Sequence, residues 1–193
     1  MERKARRSDK TLLILDLDET LIFASETMLD RAPDFQAYNY HVYRRPYLQE
    51  FLDSVRLSFD LAVWSSASDA YVSLVVENLF GDAFDLQFVW GRSRATLRRG
   101  SIDDDGYILD PWDHMHYLKP LSKVKRMGWP LERVLIVDDT PEKCARNYGN
   151  AVHPRPYLGD AGDEELRKLA PYLITLANEP NVRRIEKRRW RAG

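Results

Sequence analysis

Apolar residues fall into short runs separated by charge, and the spacing within each run sorts strands from helices. Thr11-Leu-Leu-Ile-Leu15 is apolar almost throughout and bounded by charge, the pattern of a buried central strand. Residues 24–36 lack periodicity and read as a loop. Tyr38, Tyr40 and Val42 alternate with Asn39, His41 and Tyr43, which predicts an exposed strand or flap. Pro46 then opens a helix carrying Leu48, Phe51, Leu52 and Val55 at helical spacing. Phe59 to Trp64 is a second apolar strand. Ser68 and Asp69 can cap a helix with Val72, Val75, Val76 and Leu79, stopped by Gly81. Phe84 to Trp90 reads as a third strand. Residues 91–118 are irregular, with Asp105-Gly106 between short apolar flanks as a hairpin signal. A short helix within Leu118–Met127 and a buried strand at Arg133–Val137 follow, then a helix opened by Thr140-Pro141. Residues 151–159 hold a short strand and a loop, and Asp163 caps a last helix with Leu166, Leu169, Leu173 and Leu176 on one side. Strands alternating with helices predict an α/β fold, a mostly parallel sheet flanked by helices.

The 193 residues fit one domain, with residues 11–180 as the body, a hairpin insertion at about 91–118, and basic tails at 1–10 and 181–193. Net charge is −1 overall, but the tails carry +3 and +5 and leave the body at −9. An acidic body argues against a nucleic-acid groove and suits a site that gathers carboxylates around a cation. The tails read as solvated termini, with nucleic acid a possible but disfavoured partner through them. Cys144 is the one cysteine, so an intramolecular disulfide is excluded and a cysteine zinc site disfavoured. No apolar run approaches the ~18 residues of a membrane span, and Asp16 and Asp18 cut short any signal-peptide pattern. The expected location is cytoplasmic, with the nucleus left open, and the oligomeric state is undetermined.

In open parallel sheets ligands bind beyond the carboxyl ends of the strands. There this chain has Asp16-Leu17-Asp18-Glu19-Thr20, Ser65-Ser66 and Asp138-Asp139, with Lys119 just ahead of Pro120. Four carboxylates cannot crowd together unpaired, and a divalent cation with oxygen ligands, Mg2+, resolves the conflict. A metal, a lysine, a hydroxyl and a free carboxylate suit a phosphoryl group. Taken singly, the aspartates are also ordinary turn or cap residues; their combination in order favours catalysis.

Asp16-Leu-Asp-Glu-Thr resembles the signature of the haloacid dehalogenase (HAD) superfamily of phosphohydrolases. Arg45-Pro46, Val63-Trp-Ser-Ser-Ala67, Tyr117-Leu-Lys-Pro-Leu121 and Val134-Leu-Ile-Val-Asp-Asp-Thr-Pro141 extend the resemblance to the branch acting on the C-terminal domain of RNA polymerase II. The resemblance runs from about Thr11 to about Leu176 and implies a HAD-like, Rossmann-like sheet. It implies Asp16 as nucleophile forming an aspartyl-phosphate, and Asp18 as general acid and then base. It implies Mg2+ held by Asp16, the backbone carbonyl of Asp18, and Asp138 with Asp139, where relatives often have Asn at the second position. Ser65 and Lys119 would bind phosphate oxygens, with Thr20, Ser66 and Tyr71 as further substrate or phosphate contacts. Lys119 is expected to matter more for catalysis than for stability.

No segment is long enough for a large cap, so an open site and a phosphoserine or phosphothreonine protein or peptide are expected. A nucleic-acid end or small-molecule phosphatase is the enzymatic alternative, and a non-catalytic phosphopeptide-binding or scaffold module the other. Asp103-Asp-Asp-Gly106 fails as a calcium loop, because Ser101 and Trp112 stand at ligand positions. His114 and His116 would share a strand face, but no third nitrogen or sulfur ligand lies nearby.

Overall fold

Alternate residues of the apolar strands feed two separate cores, which is what a sheet covered on both sides requires. In the computed structural model, which describes residues 9–99 and 115–192, β1 (Thr11–Leu15) lies at the centre of a parallel sheet. Its neighbours are β5 (Phe59–Trp64) and β9 (Val134–Val137), with β6 (Leu86–Trp90) and β10 (Ala151–Val152) outside them, in the order β10-β9-β1-β5-β6. Leu13, Leu15, Leu61, Val63, Leu135 and Val137 share one core with α1 (Leu48–Ser58), α2 (Asp69–Phe80) and α4 (Glu165–Leu176). Leu12, Ile14, Ala62, Trp64 and Ile136 point the other way, toward Val124 of α3 (Ser122–Arg126) and the Phe88–Trp90 ring stack. The α/β fold expected from the sequence is therefore the one observed.

Helix ends follow their side chains. The Ser68 hydroxyl accepts from the Tyr71 N–H, and α2 stops at Gly81, whose φ of 50° a residue with a Cβ rarely adopts. Thr140-Pro141 opens only a short 3-10 turn, Pro141–Cys144, in place of the expected helix.

The stretch read as a loop at 24–36 is a correction. It holds the second half of β2 (Ile22–Ser25) and the start of β3 (Phe35–Ala37), which sandwich β4 (Tyr40–Arg44) in an antiparallel sheet ordered β2-β4-β3. Strands of three or four residues are too short to show a period. The expected flap is therefore a three-stranded sheet whose Val42 and Tyr43 are buried, while Tyr38 stands exposed at the turn with φ 55°. The insertion leaves and rejoins the body as an antiparallel ribbon of β7 (Thr96–Arg99) and β8 (Met115–Leu118). The expected turn at Asp105-Gly106, the Asp103–Gly106 acidic run, Trp112 and His114 lie outside the described residues.

The C-terminal segment also differs from the expected solvated tail. Val182 and Trp190 are buried, Trp190 stacks on Tyr172 of α4, and its indole N–H donates to the His153 carbonyl. Lys187 is buried and its ammonium donates to the carbonyls of Gly149, Val182 and Ile185. Three carbonyls meet the three donors of an ammonium, so a charged residue can sit inside here. Among the described residues, no helix is long and apolar enough to cross a membrane.

Arg45 locks the body together. It is 1% exposed, grips Asp163 through Nε and Nη2 at 2.8 Å each, and donates to the Thr20 and Arg155 carbonyls. One side chain thus ties the loop after β1 to the start of α4. Arg45→Met should cost on the order of 1–3 kcal/mol in urea unfolding, because the Thr20 and Arg155 carbonyls and the partly exposed Asp163 lose their shared donor. Burial alone would raise the Asp163 carboxyl, but the Arg45 hydrogen bonds hold it below the usual range. A carboxyl lowered on folding stabilises above its unfolded pKa, and that contribution is lost as pH falls through the folded value. The Tm deficit of Asp163→Asn should therefore be full at pH 7 and close on acidification; a pH-independent deficit would contradict the pairing.

Candidate active site

Three strands deliver their last residues to one edge. The Asp16 N–H donates to the Val137 carbonyl, the Asp138 N–H to Val152 and the Ser65 N–H to Trp90, so each functional residue continues the ladder one step past its strand. Asp16 and Asp138 emerge side by side, 1% and 0% exposed. Between them stands Lys119, fully buried, with its ammonium 2.8 Å from Asp16 Oδ1 and 2.6 Å from Asp138 Oδ2. Asn147 fixes the main chain around that lysine by donating to the Lys119 carbonyl and accepting from the Leu121 N–H.

Burial alone would raise the Asp16 carboxyl, but Lys119 and then Lys143 outweigh it and hold Asp16 below the usual carboxylate range. Asp138 is pushed up to about 6 by burial and then by repulsion from Asp16, against the pull of the two lysines. Desolvation would lower the Lys119 ammonium, but the two carboxylates keep it above the ordinary lysine range. To the expectation that Lys119 matters more for catalysis than for stability the geometry adds a stability role, since two buried carboxylates pair with it.

Asp18 has a different environment two residues on. Its Oδ1 accepts from the Tyr71 hydroxyl at 2.7 Å, and its Oδ2 from the Ser65 hydroxyl at 3.4 Å. Burial raises its carboxyl and Asp16 adds to the rise, with the Tyr71 hydrogen bond pulling back. The turn that separates Asp16 from Asp18 is closed by the Thr20, Leu21 and Ile22 N–H groups, all donating to the Leu17 carbonyl, and places Glu19 at φ 58°.

Two hydroxyls expected as substrate or phosphate contacts bond carboxylates, and one of them, Tyr71, also lines the groove beside Asp18. Thr20 is fully buried, donates to Asp139 Oδ1 at 3.2 Å and accepts from the Asp139 N–H at 3.1 Å; it positions Asp139 and does not line the opening. Tyr71 orients Asp18. Of the adjacent serines, Ser65 reaches Asp18, whereas Ser66 gives its carbonyl to Arg92 Nε at 2.9 Å.

Oxygens of Asp16, Asp138 and Asp139 lie within 4.8 Å of one another, close enough for one cation. An all-carboxylate donor set suits a hard ion such as Mg2+ and not a thiophilic one. The Asp18 carboxylate is not part of this cluster, since it turns to Tyr71 and Ser65. Sequence reasoning missed Lys143, whose ammonium lies 3.3 Å from Asp16 Oδ2 and 4.0 Å from Asp138 Oδ1. It also missed Arg92, which sits over the Tyr117 ring at the mouth. Beside Asp18 a groove of about 480 Å³ runs between Tyr38, Tyr40, Ser68, Tyr71 and Arg92.

The profile of a family described as NLI interacting factor-like phosphatase matches residues 11–183. The chain is 30% identical over 188 residues to a human protein, carboxy-terminal domain RNA polymerase II polypeptide A small phosphatase 1, covering 94% of this chain and 65% of that one. It is 28% identical to nuclear envelope morphology protein 1 of Saccharomyces cerevisiae, covering 91% of this chain and 41% of that one. The chain thus spans less than two thirds of these relatives' length. The solved structure of Fcp1, an essential RNA polymerase II CTD phosphatase, superposes with a TM-score of 0.53 at 19% identity, over 86% of this chain and 49% of that one, and shares the fold.

Proposed function

The chain belongs to the NLI interacting factor-like phosphatase family, and on that premise we propose that it hydrolyses phosphomonoesters through an aspartyl-phosphate on Asp16, with phosphoserine or phosphothreonine protein as substrate. The observation that carries this reading is the contrast between two carboxylates two residues apart. Asp16 is held ionised by two lysines, as a nucleophile needs, while Asp18 is raised by burial and by Asp16, as a proton donor needs, and is oriented by the Tyr71 and Ser65 hydroxyls, the Tyr71 bond opposing part of that rise. An Asp16 oxygen attacks phosphorus and the bond to the leaving oxygen breaks as Asp18 passes its proton to that oxygen. Asp18 then takes a proton from water, whose oxygen attacks phosphorus and releases phosphate from Asp16. Lys119 stays beside Asp16 throughout and offsets the charge that gathers there. Mg2+, held by Asp16, Asp138, Asp139 and the Asp18 carbonyl, would supply further charge neutralisation at the phosphoryl oxygens.

The groove supports the proposed substrate class. Tyr38, Tyr40 and Arg92 lie beside Asp18 on an open face and can contact residues flanking a phosphorylated side chain, so remote contacts can orient the reacting group. The human relative's name points to the same class of substrate. A cytoplasmic or nuclear place of work belongs to this proposal.

The test is turnover of an aryl phosphate, phosphopeptides, phosphorylated oligonucleotides and a metabolite panel, with Mg2+ and with EDTA. Phosphopeptides should exceed free phosphoserine in kcat/KM, and EDTA should stop every reaction. Full activity in EDTA would refute the metal. A metabolite or oligonucleotide turned over far better than any phosphopeptide would refute the substrate. No turnover of any ester would favour a binding module.

A further inference from the structure

Lys119 and Lys143 are tied together through the main chain, the Lys119 N–H donating to the Lys143 carbonyl at 2.9 Å, yet their side chains are held very differently. Lys119 is fully buried and claims Asp16 Oδ1 and Asp138 Oδ2 at short range. The Leu17 N–H also donates to Asp16 Oδ1, and the Thr140 N–H to Asp138 Oδ1. Lys119 thus leaves uncontacted Asp16 Oδ2 and Asp138 Oδ1, the second of which keeps one lone pair beside the Thr140 N–H. Lys143 addresses both, at 3.3 and 4.0 Å, on longer contacts and with its side chain 22% exposed.

A cation shared by Asp16, Asp138 and Asp139 meets least opposition from Lys119 on these same two oxygens, which Lys119 does not contact. Magnesium–oxygen distances of about 2.0–2.1 Å leave no room for an ammonium on the same lone pairs, and two cations so close repel strongly. Lys119 has no way out, whereas Lys143 has a flexible stem and an exposed flank. We infer that Lys143 is a built-in competitor for the metal site, a displaceable ammonium that pairs with Asp16 and Asp138 until a divalent cation drives it toward solvent. Metal affinity is then set by an exchange of one cation for another, and the protein's requirement for free Mg2+ is tuned by Lys143. This rests on the metal reading of the three aspartates given above.

Two measurements test it without using activity. The first is Mn2+ binding by calorimetry to the wild type, Lys143→Met, Arg146→Met and Asp138→Asn. Lys143→Met should bind at least about tenfold more tightly than wild type, as expected from removing a competing charge at contact distance. Arg146→Met removes an exposed charge three residues away, and a change within about twofold there excludes a general field effect. The second uses the wild-type protein alone, with amine acylation read by mass spectrometry. Added Mg2+ should raise labelling of Lys143 several-fold and leave Lys119 protected. If Lys143→Met binds no more tightly while Asp138→Asn loses Mn2+, or if Mg2+ leaves Lys143 labelling unchanged or lower, the competition is wrong and the metal site stands. If wild type and Asp138→Asn bind Mn2+ equally weakly, the metal site itself is wrong, and the competition falls with it.

Discussion

Asp16→Asn should leave a folded protein whose phosphatase turnover falls on the order of 10⁴-fold or more, the scale seen when a nucleophile is removed from a site acting as a unit. Asparagine keeps the shape and the Leu17 N–H contact but lacks the anionic oxygen that attacks phosphorus. Acid-quenched samples should yield no phosphoprotein, whereas the wild type should trap phosphate on Asp16. Asp18→Asn makes the contrast. Losing a general acid is worth typically 10²–10⁴-fold, and the loss should be greatest for alkyl esters, whose leaving oxygen needs the proton most. Near wild-type turnover in Asp16→Asn would remove the covalent route altogether.

Lys119→Met should damage stability and catalysis together. The ammonium neutralises two carboxylates that are 1% and 0% exposed, and breaking a buried pair by removing one partner costs about 3–5 kcal/mol. Lys143 reaches the same pair at longer distance and can offset only part of that loss. The lysine is raised on folding, so its stabilisation is complete below the ordinary lysine pKa and is lost only as pH rises through the higher folded value. Titration of the lysine therefore leaves the urea-midpoint deficit constant across neutral pH, but the deficit should shrink on acidification as the buried carboxylates it leaves unpaired, Asp138 foremost, take up protons. Measured where both proteins are folded, kcat/KM should fall about 10²–10³-fold, the scale of removing one preorganised donor at developing charge. An unchanged kcat/KM would take Lys119 out of the site, and an unchanged midpoint would contradict its burial.

The central sheet was legible because β1, β5 and β9 are apolar enough to be recognised without their partners, and the residues that follow them form the candidate site. Asp16, Asp18, Ser65, Lys119, Asp138 and Asp139 accordingly meet at one edge as their positions imply. What escaped is interaction whose partner is distant in sequence. The family resemblance implied Thr20 and Tyr71 as substrate or phosphate contacts, yet a hydroxyl does not announce its acceptor, and both bond carboxylates. Lys143 escaped because a single 3-10 turn aims it back at Asp16, with no periodicity to reveal the return. The basic residues of 181–193 read as solvent-facing and concealed the buried Val182 and Trp190 between them. There the balance is decided by backbone carbonyls that accept the Lys187 ammonium, a satisfaction invisible in composition.

The position of β1 also dictates a timetable for folding. Its two neighbours are Phe59–Trp64 and Val134–Val137, the second supplied by a far later stretch of the chain. Parallel pairing over such a separation must close a long loop before any contact repays the lost freedom, so it forms slowly. While a ribosome is still making residues 65–133, one edge of β1 is a bare apolar strand that can find the wrong partner. Emergence of β9 ends that exposure and places Asp138 beside Asp16 in the same event. The covered edge and the Asp16–Asp138 pair thus arrive together in synthesis, and a nascent chain stopped short of β9 has neither.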